Sequence, residues 1–195
     1  ALISVIVLGL TINYFAAFLL LSSIAFYIFI YTVWLKRRTH HNIVIGGAAG
    51  AFPPVIGWAC VTGDISLFPI MLFLIVFIWT PPHFWALAMY KDTEYSKVNI
   101  PMLPVVHGRK VTKIQSFIYS ILLFFISLAP FFLDLTGTIY LFVSLILNLI
   151  FLFHSFQLLN SDDLNHDKRA SRLFKYSIIY LYLIFVFFVI DKALN

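Results

Sequence analysis

Residues Trp79–Gly108 read WTPPHFWALAMYKDTEYSKVNIPMLPVVHG. A wholly apolar run breaks here into a segment of carboxylates, lysines, tyrosine and a Pro-Met-Leu-Pro turn. Ionisable groups cost free energy in or beside lipid, so at the end of such a run they are functional candidates by default. The rest of the chain has the same apolar bias. It is 62% hydrophobic and 11% charged, with a mean hydropathy of +0.99. A water-soluble domain of 195 residues has too little interior for so much apolar side chain, which makes lipid the solvent. The 22 Phe and 10 Tyr residues suit lipid-facing and interfacial positions. Cys60 is the single cysteine, which excludes an intrachain disulfide and a cysteine-based metal cluster.

A spanning helix needs about 20 mostly apolar residues. Six runs qualify: Phe15–Leu35, Asn42–Val61, Leu67–Met89, Thr112–Leu133, Thr138–Leu158 and Phe174–Ala193. Ala1–Leu10 is about half the required length. It is read as the tail of a helix that begins before Ala1. A signal peptide fits less well, because the run has neither a basic flank nor a small-residue cleavage site.

The connections alternate in charge. Lys36–His41, Tyr90–Lys113 and Asn160–Lys175 together hold 12 of the 13 Lys and Arg residues. Thr11–Tyr14, Thr62–Ser66 and Asp134–Gly137 hold none. The positive-inside rule puts the basic set in the cytoplasm, or in the matrix of a mitochondrion. The net charge of +5 is thus divided among short loops on one membrane side. Anionic lipid accounts for it, and no nucleic-acid motif accompanies it.

Nothing divides the chain, so residues 1–195 are read as one domain. Gly46, Gly47, Gly50 and Ala51 place small residues four apart, which lets neighbouring helices approach closely. Pro53-Pro54 is expected to kink or break its helix, and Pro81-Pro82, inside an apolar run, implies a local break.

Three groups of residues could carry chemistry. The first is Lys36-Arg37-Arg38, either a helix-end anchor or a phosphate clamp, since guanidinium groups bind phosphate oxygens bidentately. Tyr27, Tyr31 and Arg38 fall on one helical stripe. A buried aromatic stripe ending in a cation suits a lipid with an anionic head, or a carbocation. The second group is His83, which could bridge helices or serve a substrate carboxylate, a metal centre or proton transfer. If its helix runs on to Glu94, the two side chains share a face about 16 Å apart, and Asp92 points the other way. Asp92 and Glu94, beside Lys91, Tyr95 and Lys97, are either a solvated charge mixture or carboxylate ligands for Mg²⁺. The third group is the loop from Ser161 to Arg169. It is charge-balanced and reads as solvated, with Asp167, Arg169 and Arg172 able to cover a substrate head. Lys91 and Arg109 flank the central loop and join them as candidate substrate contacts.

In series these motifs resemble the protohaem IX farnesyltransferase (haem O synthase) branch of the UbiA prenyltransferase superfamily. The matching stretches are Tyr31-Thr32 with Leu35-Lys36-Arg37 and Thr39, then GGAAGAFPPVIGW at Gly46–Trp58. Trp79 with Pro81-Pro82-His83-Phe84 follows, and Glu94-Tyr95 leads into IPMLPVV at Ile100–Val106 with Gly108. The C-terminal third matches only in its helix pattern.

The resemblance implies an all-α, polytopic membrane bundle of nine helices, of which six full ones and a partial first one lie here, with a cavity open to the inside face. It implies two acidic motifs that hold Mg²⁺ and a prenyl diphosphate. The second maps onto Asp92, Glu94 and Tyr95, with Ser96 where the superfamily pattern has Asp. The first is expected before Ala1, and without it this chain alone is expected to be inactive. Lys36, Arg37 and Arg38 would neutralise the departing diphosphate, and His83 would handle haem or protons. The implied substrates are farnesyl diphosphate and haem B, with membrane lipid and haem A synthase as partners and no nucleic acid. The implied location is the bacterial plasma membrane or the mitochondrial inner membrane. An aromatic prenyltransferase of quinone synthesis and a non-enzymatic transporter are the alternatives. Against the transporter, ionisable residues cluster on one side, His83 and His154 apart.

Overall fold

The computed structural model describes residues 1–91, 101–162 and 164–194. Among them the regular structure is helical throughout. A short helix α1 (Leu2–Thr11) leads to α2 (Tyr14–Ala25), which continues directly as a π-helix over Phe26–Leu35. Then come α3 (Asn42–Ala51), α4 (Pro53–Thr62) and α5 (Leu67–Tyr90). The last three are α6 (Leu103–Phe132), α7 (Thr138–Leu159) and α8 (His166–Leu194). Six helical segments are long and apolar enough to cross a membrane: α2 with its π extension, α3 with α4, and each of α5 to α8. These correspond to the six spans expected from hydropathy. Two begin earlier than composition indicates. Helix α6 starts at Leu103 and bends at Gly108, whose φ of +78° a side chain would make strained. Helix α8 starts at His166, so much of the polar third loop is its first turns.

The two proline pairs behave differently. Pro53 and Pro54 open α4, where a missing N–H costs nothing because first-turn donors have no helical acceptor. Pro81 and Pro82 lie inside α5 without breaking it, contrary to the sequence expectation. Proline's fixed φ is compatible with a helix, and the main loss is two backbone hydrogen bonds. Thr80 Oγ1 donates to the Val76 carbonyl at 2.8 Å, and Thr80, Pro81 and Pro82 are all buried. Packed neighbours hold the helix where its own ladder is thinned.

Helix α5 is the centre of the bundle, packed against α3, α4, α6 and α8. Its apolar core joins Ile75 and Met89 to Leu123 of α6, Phe151 of α7 and Tyr180 and Ile184 of α8. Between α6, α7 and α8 runs a buried polar seam. Tyr180 donates to Asn148 Oδ1 at 3.0 Å, Asn148 Nδ2 donates to Ser127 Oγ at 2.7 Å, and the Tyr140 hydroxyl donates to the Ser127 carbonyl at 2.7 Å. Buried Asp191 of α8 accepts from the backbone N–H groups of Gly137 and Tyr140. It thereby satisfies donors that the start of α7 leaves without helical partners.

Candidate active site

The π-helix is the first element of the site. Lys36 N donates to the Tyr31 carbonyl at 2.8 Å, five residues back. Thr32 Oγ1 makes the same reach to the Tyr27 carbonyl at 2.9 Å. Such windings are rare and recur at functional sites. This one brings the Tyr27 and Tyr31 rings to 5.3 Å between centroids. It also corrects the expected α-helical stripe. The winding is not α, Tyr27 is exposed rather than buried, and Arg38 lies in the turn beyond the helix end.

Tyr27 and Tyr31 face α3 and α5 across a cavity of about 380 Å³, bounded also by Gly46, Gly47, Gly50, Trp79, Thr80 and Phe84. The glycines make the approach possible. A Cβ at Gly46 would fall into the Tyr31 ring, and one at Gly47 would meet Thr80 at 2.9 Å. The close packing expected of the glycine run is present at Gly46 and Gly47, while a Cβ at Gly50 would meet nothing within 4 Å; all three glycines line the cavity.

Trp79 also bounds a second cavity, of about 500 Å³, with His83 of α5 and Phe174, Ile178, Leu181, Tyr182, Phe185 and Val186 of α8. His83 is held on several sides. Its ring stacks on Trp79 (4.2 Å between centroids, 21°) and on Phe174 (4.7 Å, 29°). Its Nδ1 lies 2.6 Å from Ser177 Oγ. The Ser177 hydroxyl donates to the Phe174 carbonyl at 2.6 Å, so its oxygen accepts the Nδ1 proton. The imidazole is then the Nδ1–H tautomer, with its lone pair on Nε2. Trp79 Nε1 donates to the Ser177 carbonyl at 2.9 Å and ties the indole to the same turn.

Lys36 is half-buried just after the π-helix, and Arg37 and Arg38 are exposed. Asn42, buried at the start of α3, donates to the Lys36 carbonyl at 3.1 Å and pins the cationic turn. His40 in that turn packs on His107 of α6, 4.3 Å between centroids, beside His41 at 4.1 Å. Partial burial, then the charges of His41 and His107, hold the His40 pKa below the ordinary histidine value.

The other candidate residues are scattered. Lys91 follows the last turn of α5. Arg109 pairs with Asp167 at 3.7 Å, joining the first turns of α6 and α8. Arg169 donates to the carbonyls of Gln157 (2.7 Å) and Asn160 (3.1 Å) at the end of α7, where terminal carbonyls lack helical partners. Arg172 is exposed on α8. Asp92, Glu94 and Tyr95 lie outside the described residues. The geometry that favoured Glu94 over Asp92 does not hold, because α5 ends at Tyr90 and no unbroken helix joins His83 to Glu94. Among the described residues no group of three or more His, Cys, Asp or Glu side chains is placed to hold a metal ion.

Sequence reasoning missed Phe174, Ser177 and Asn42, and quoted Trp79 without giving it a role. Trp79 lies four residues before His83, on the same helical face, which was a usable signal. Ser177 is a polar residue in an apolar helix, which was another. Nothing in the sequence connects Phe174 to His83.

The family model for the UbiA prenyltransferase family matches residues 1–179. The chain belongs to that family. Accordingly it is an integral, multi-pass membrane protein. It is 51% identical over 193 residues to a protoheme IX farnesyltransferase of Parvibaculum lavamentivorans, covering 98% of this chain and 61% of that protein. Similar matches come from the protoheme IX farnesyltransferases of Acidiphilium cryptum (50% identical, 97% and 62% covered) and Rickettsia felis (53%, 94% and 59%). The chain thus spans about three fifths of the length of these curated relatives. No solved structure matches.

Proposed function

We propose that the chain forms a single transmembrane prenyltransferase domain. It would transfer the farnesyl group of farnesyl diphosphate to a vinyl group of protohaem IX, giving haem O. The observation that carries this reading is the meeting of two aromatic cavities at Trp79. One is walled by Tyr27, Tyr31 and Phe84, the other by His83 and Phe174. The basic turn at Lys36 continues directly from the first wall. The names of the relatives point the same way.

A long apolar prenyl chain and a broad, flat porphyrin need two adjoining apolar walls. An anionic leaving group needs cations at one end of them. Lys36, Arg37 and Arg38 would neutralise the diphosphate as it departs with the electron pair of the broken C–O bond. The π faces of Tyr27, Tyr31 and Trp79 would shield the allylic cation from water and stabilise it. The vinyl π electrons then form the new C–C bond. Water adds to the resulting cation and loses a proton, leaving a hydroxyl. Lys91 and Arg172 are proposed contacts for the anionic parts of the substrates. Arg109 and Arg169, engaged with Asp167 and the end of α7, would join them only by exchanging those partners. Tyr95 is a proposed active-site neighbour. Magnesium would accompany the diphosphate, with Asp92 and Glu94 as candidate ligands. Among the described residues no group of three or more His, Cys, Asp or Glu side chains fits the ion.

By the positive-inside rule the mouth would lie on the cytoplasmic side of a bacterial plasma membrane, or on the matrix side of a mitochondrial inner membrane. Haem A synthase would take the product. The test is a membrane assay of the full-length protein with farnesyl diphosphate and either haem B or a hydroxybenzoate. Mass spectrometry should detect farnesylated, hydroxylated porphyrin and no prenylated phenol. Prenylated phenol with unaltered haem would replace this reading by quinone synthesis.

A further inference from the structure

His83 has an open nitrogen that its surroundings prepare for a ligand. Its two ring faces are covered by Trp79 and Phe174. Its Nδ1 edge is taken by Ser177. The residue is 8% exposed, and it still borders the 500 Å³ cavity. Phe84 stands perpendicular to the ring, 5.1 Å between centroids. With the faces and the Nδ1 edge occupied, we infer that the edge bearing Nε2 is what the residue offers to that cavity. The Ser177 hydroxyl is committed to the Phe174 carbonyl, so Nε2 carries a lone pair and no proton. An oriented, unprotonated imidazole nitrogen facing an apolar, aromatic-walled cavity is the arrangement that holds a porphyrin iron from one side.

We propose that His83 Nε2 is an axial ligand to the iron of the porphyrin substrate in the Trp79–Phe185 cavity, with Ser177 as the positioning residue that fixes its tautomer. This rests on the haem-acceptor reading above and deepens it. Ligation would fix the centre of the porphyrin at a set depth. It would leave the rim, which carries the vinyl groups, to extend past Trp79 toward the cavity walled by Tyr27 and Tyr31. A cation stands at the inside end of the same groove. Exposed Lys175 precedes Ile178 and Tyr182 by three and seven residues, which places it on their face of α8. It would meet the carboxylates of the porphyrin edge.

The test is spectroscopic and needs no turnover. Full-length protein in lipid nanodiscs is titrated with iron(III) protoporphyrin IX and, separately, with metal-free protoporphyrin IX. The iron probe should bind saturably with the absorption and EPR signature of imidazole ligation. His83→Ala should weaken iron-porphyrin binding at least tenfold, change metal-free binding less than twofold, and recover the signature on addition of free imidazole. His154→Ala should change neither. Ser177→Ala should weaken iron-porphyrin binding about tenfold, in the range for loss of an outer hydrogen-bond partner, and Ser177→Thr should restore it. If His83→Ala fails to insert, the Ser177 pair decides.

An imidazole signature that persists in His83→Ala overturns the ligation. So does equal weakening of both probes, or an unaltered iron-porphyrin affinity in Ser177→Ala. In each of these cases farnesylation of haem by the wild-type protein keeps the functional reading standing. Prenylation of a phenol with no action on haem removes that reading and this inference together.

Discussion

The bundle has two halves held by different physics. Helices α6, α7 and α8 are knit by buried polar bonds, from Ser127 through Asn148 to Tyr180, and by Asp191 at the start of α7. The α2–α4 side, where it meets α5, relies on glycines, aromatic faces and a π winding. Polar bonds across lipid-embedded helices fix depth and rotation. Glycine contacts and stacked rings leave cavities between helices. The first half is therefore suited to be scaffold, and in the proposed function the second would supply one substrate wall. The other wall is a seam between the two, where α8 supplies Phe174 and Ser177 to His83 of α5.

If that division is right, substitutions in the two halves should fail in different assays. The largest effect belongs to the mouth. Lys36→Ala, and separately Glu94→Ala, should lower farnesyl transfer by the full-length enzyme about 100-fold or more, as loss of a charge-stabilising group does. Membrane insertion and thermal midpoint should stay unchanged. Wild-type turnover in both variants would remove these residues from the site. Next comes the scaffold. Asn148→Leu leaves the Tyr180 hydroxyl without its acceptor and should cost about 1–3 kcal/mol of stability, read as reduced resistance to denaturant. The KM for farnesyl diphosphate should stay the same. A changed KM with intact stability would mean that the seam belongs to the site after all. A smaller effect is expected at Gly46. Gly46→Ala must displace the Tyr31 ring and should raise the KM for farnesyl diphosphate about threefold to tenfold, equivalent to roughly 0.7–1.4 kcal/mol. A drop in thermal midpoint with unaltered KM would assign the glycine to packing alone.

The scaffold half was legible in the sequence as spans, and the site half as residues. Hydropathy placed the spans because each helix must satisfy its own backbone in lipid. Charge alternation grouped the basic connections into one set, on which the proposed mouth rests. What stayed hidden was which helix faces meet. Neither the pairing of His83 with Ser177, 94 residues apart, nor that of Asp191 with Gly137 leaves any periodic trace. The two proline pairs carry the same lesson. Pro53-Pro54 and Pro81-Pro82 read alike, yet only the first interrupts a helix, because burial by neighbours decides whether missing hydrogen bonds can be tolerated. The π-helix was invisible as well. Tyr27 and Tyr31 are four apart in either winding, and only the five-residue reach of the Lys36 and Thr32 bonds distinguishes the two.

The smallest effect expected is one of pH, and it should appear in the site half alone. His40 links the cationic turn to His107 of α6, and its pKa in the folded protein is held below the ordinary value by partial burial, then by His41 and His107. The unfolded segment takes up that proton more readily, with a pKa near 6.5. The contact is therefore at full strength above pH about 6.5, and it weakens as pH falls through that value toward the lower folded one. Amide hydrogen exchange around residues 39–42 should accelerate between pH 7.5 and 5.5 beyond the intrinsic pH dependence of exchange. Amides of the α7 seam near Asn148 should follow the intrinsic rate. His40→Gln, which cannot acquire the proton, should abolish the excess at residues 39–42. An excess that survives in His40→Gln, or that appears equally at the seam, would place the titrating group elsewhere and erase the contrast between an Asn148 seam fixed by neutral hydrogen bonds and a mouth whose anchor responds to protons.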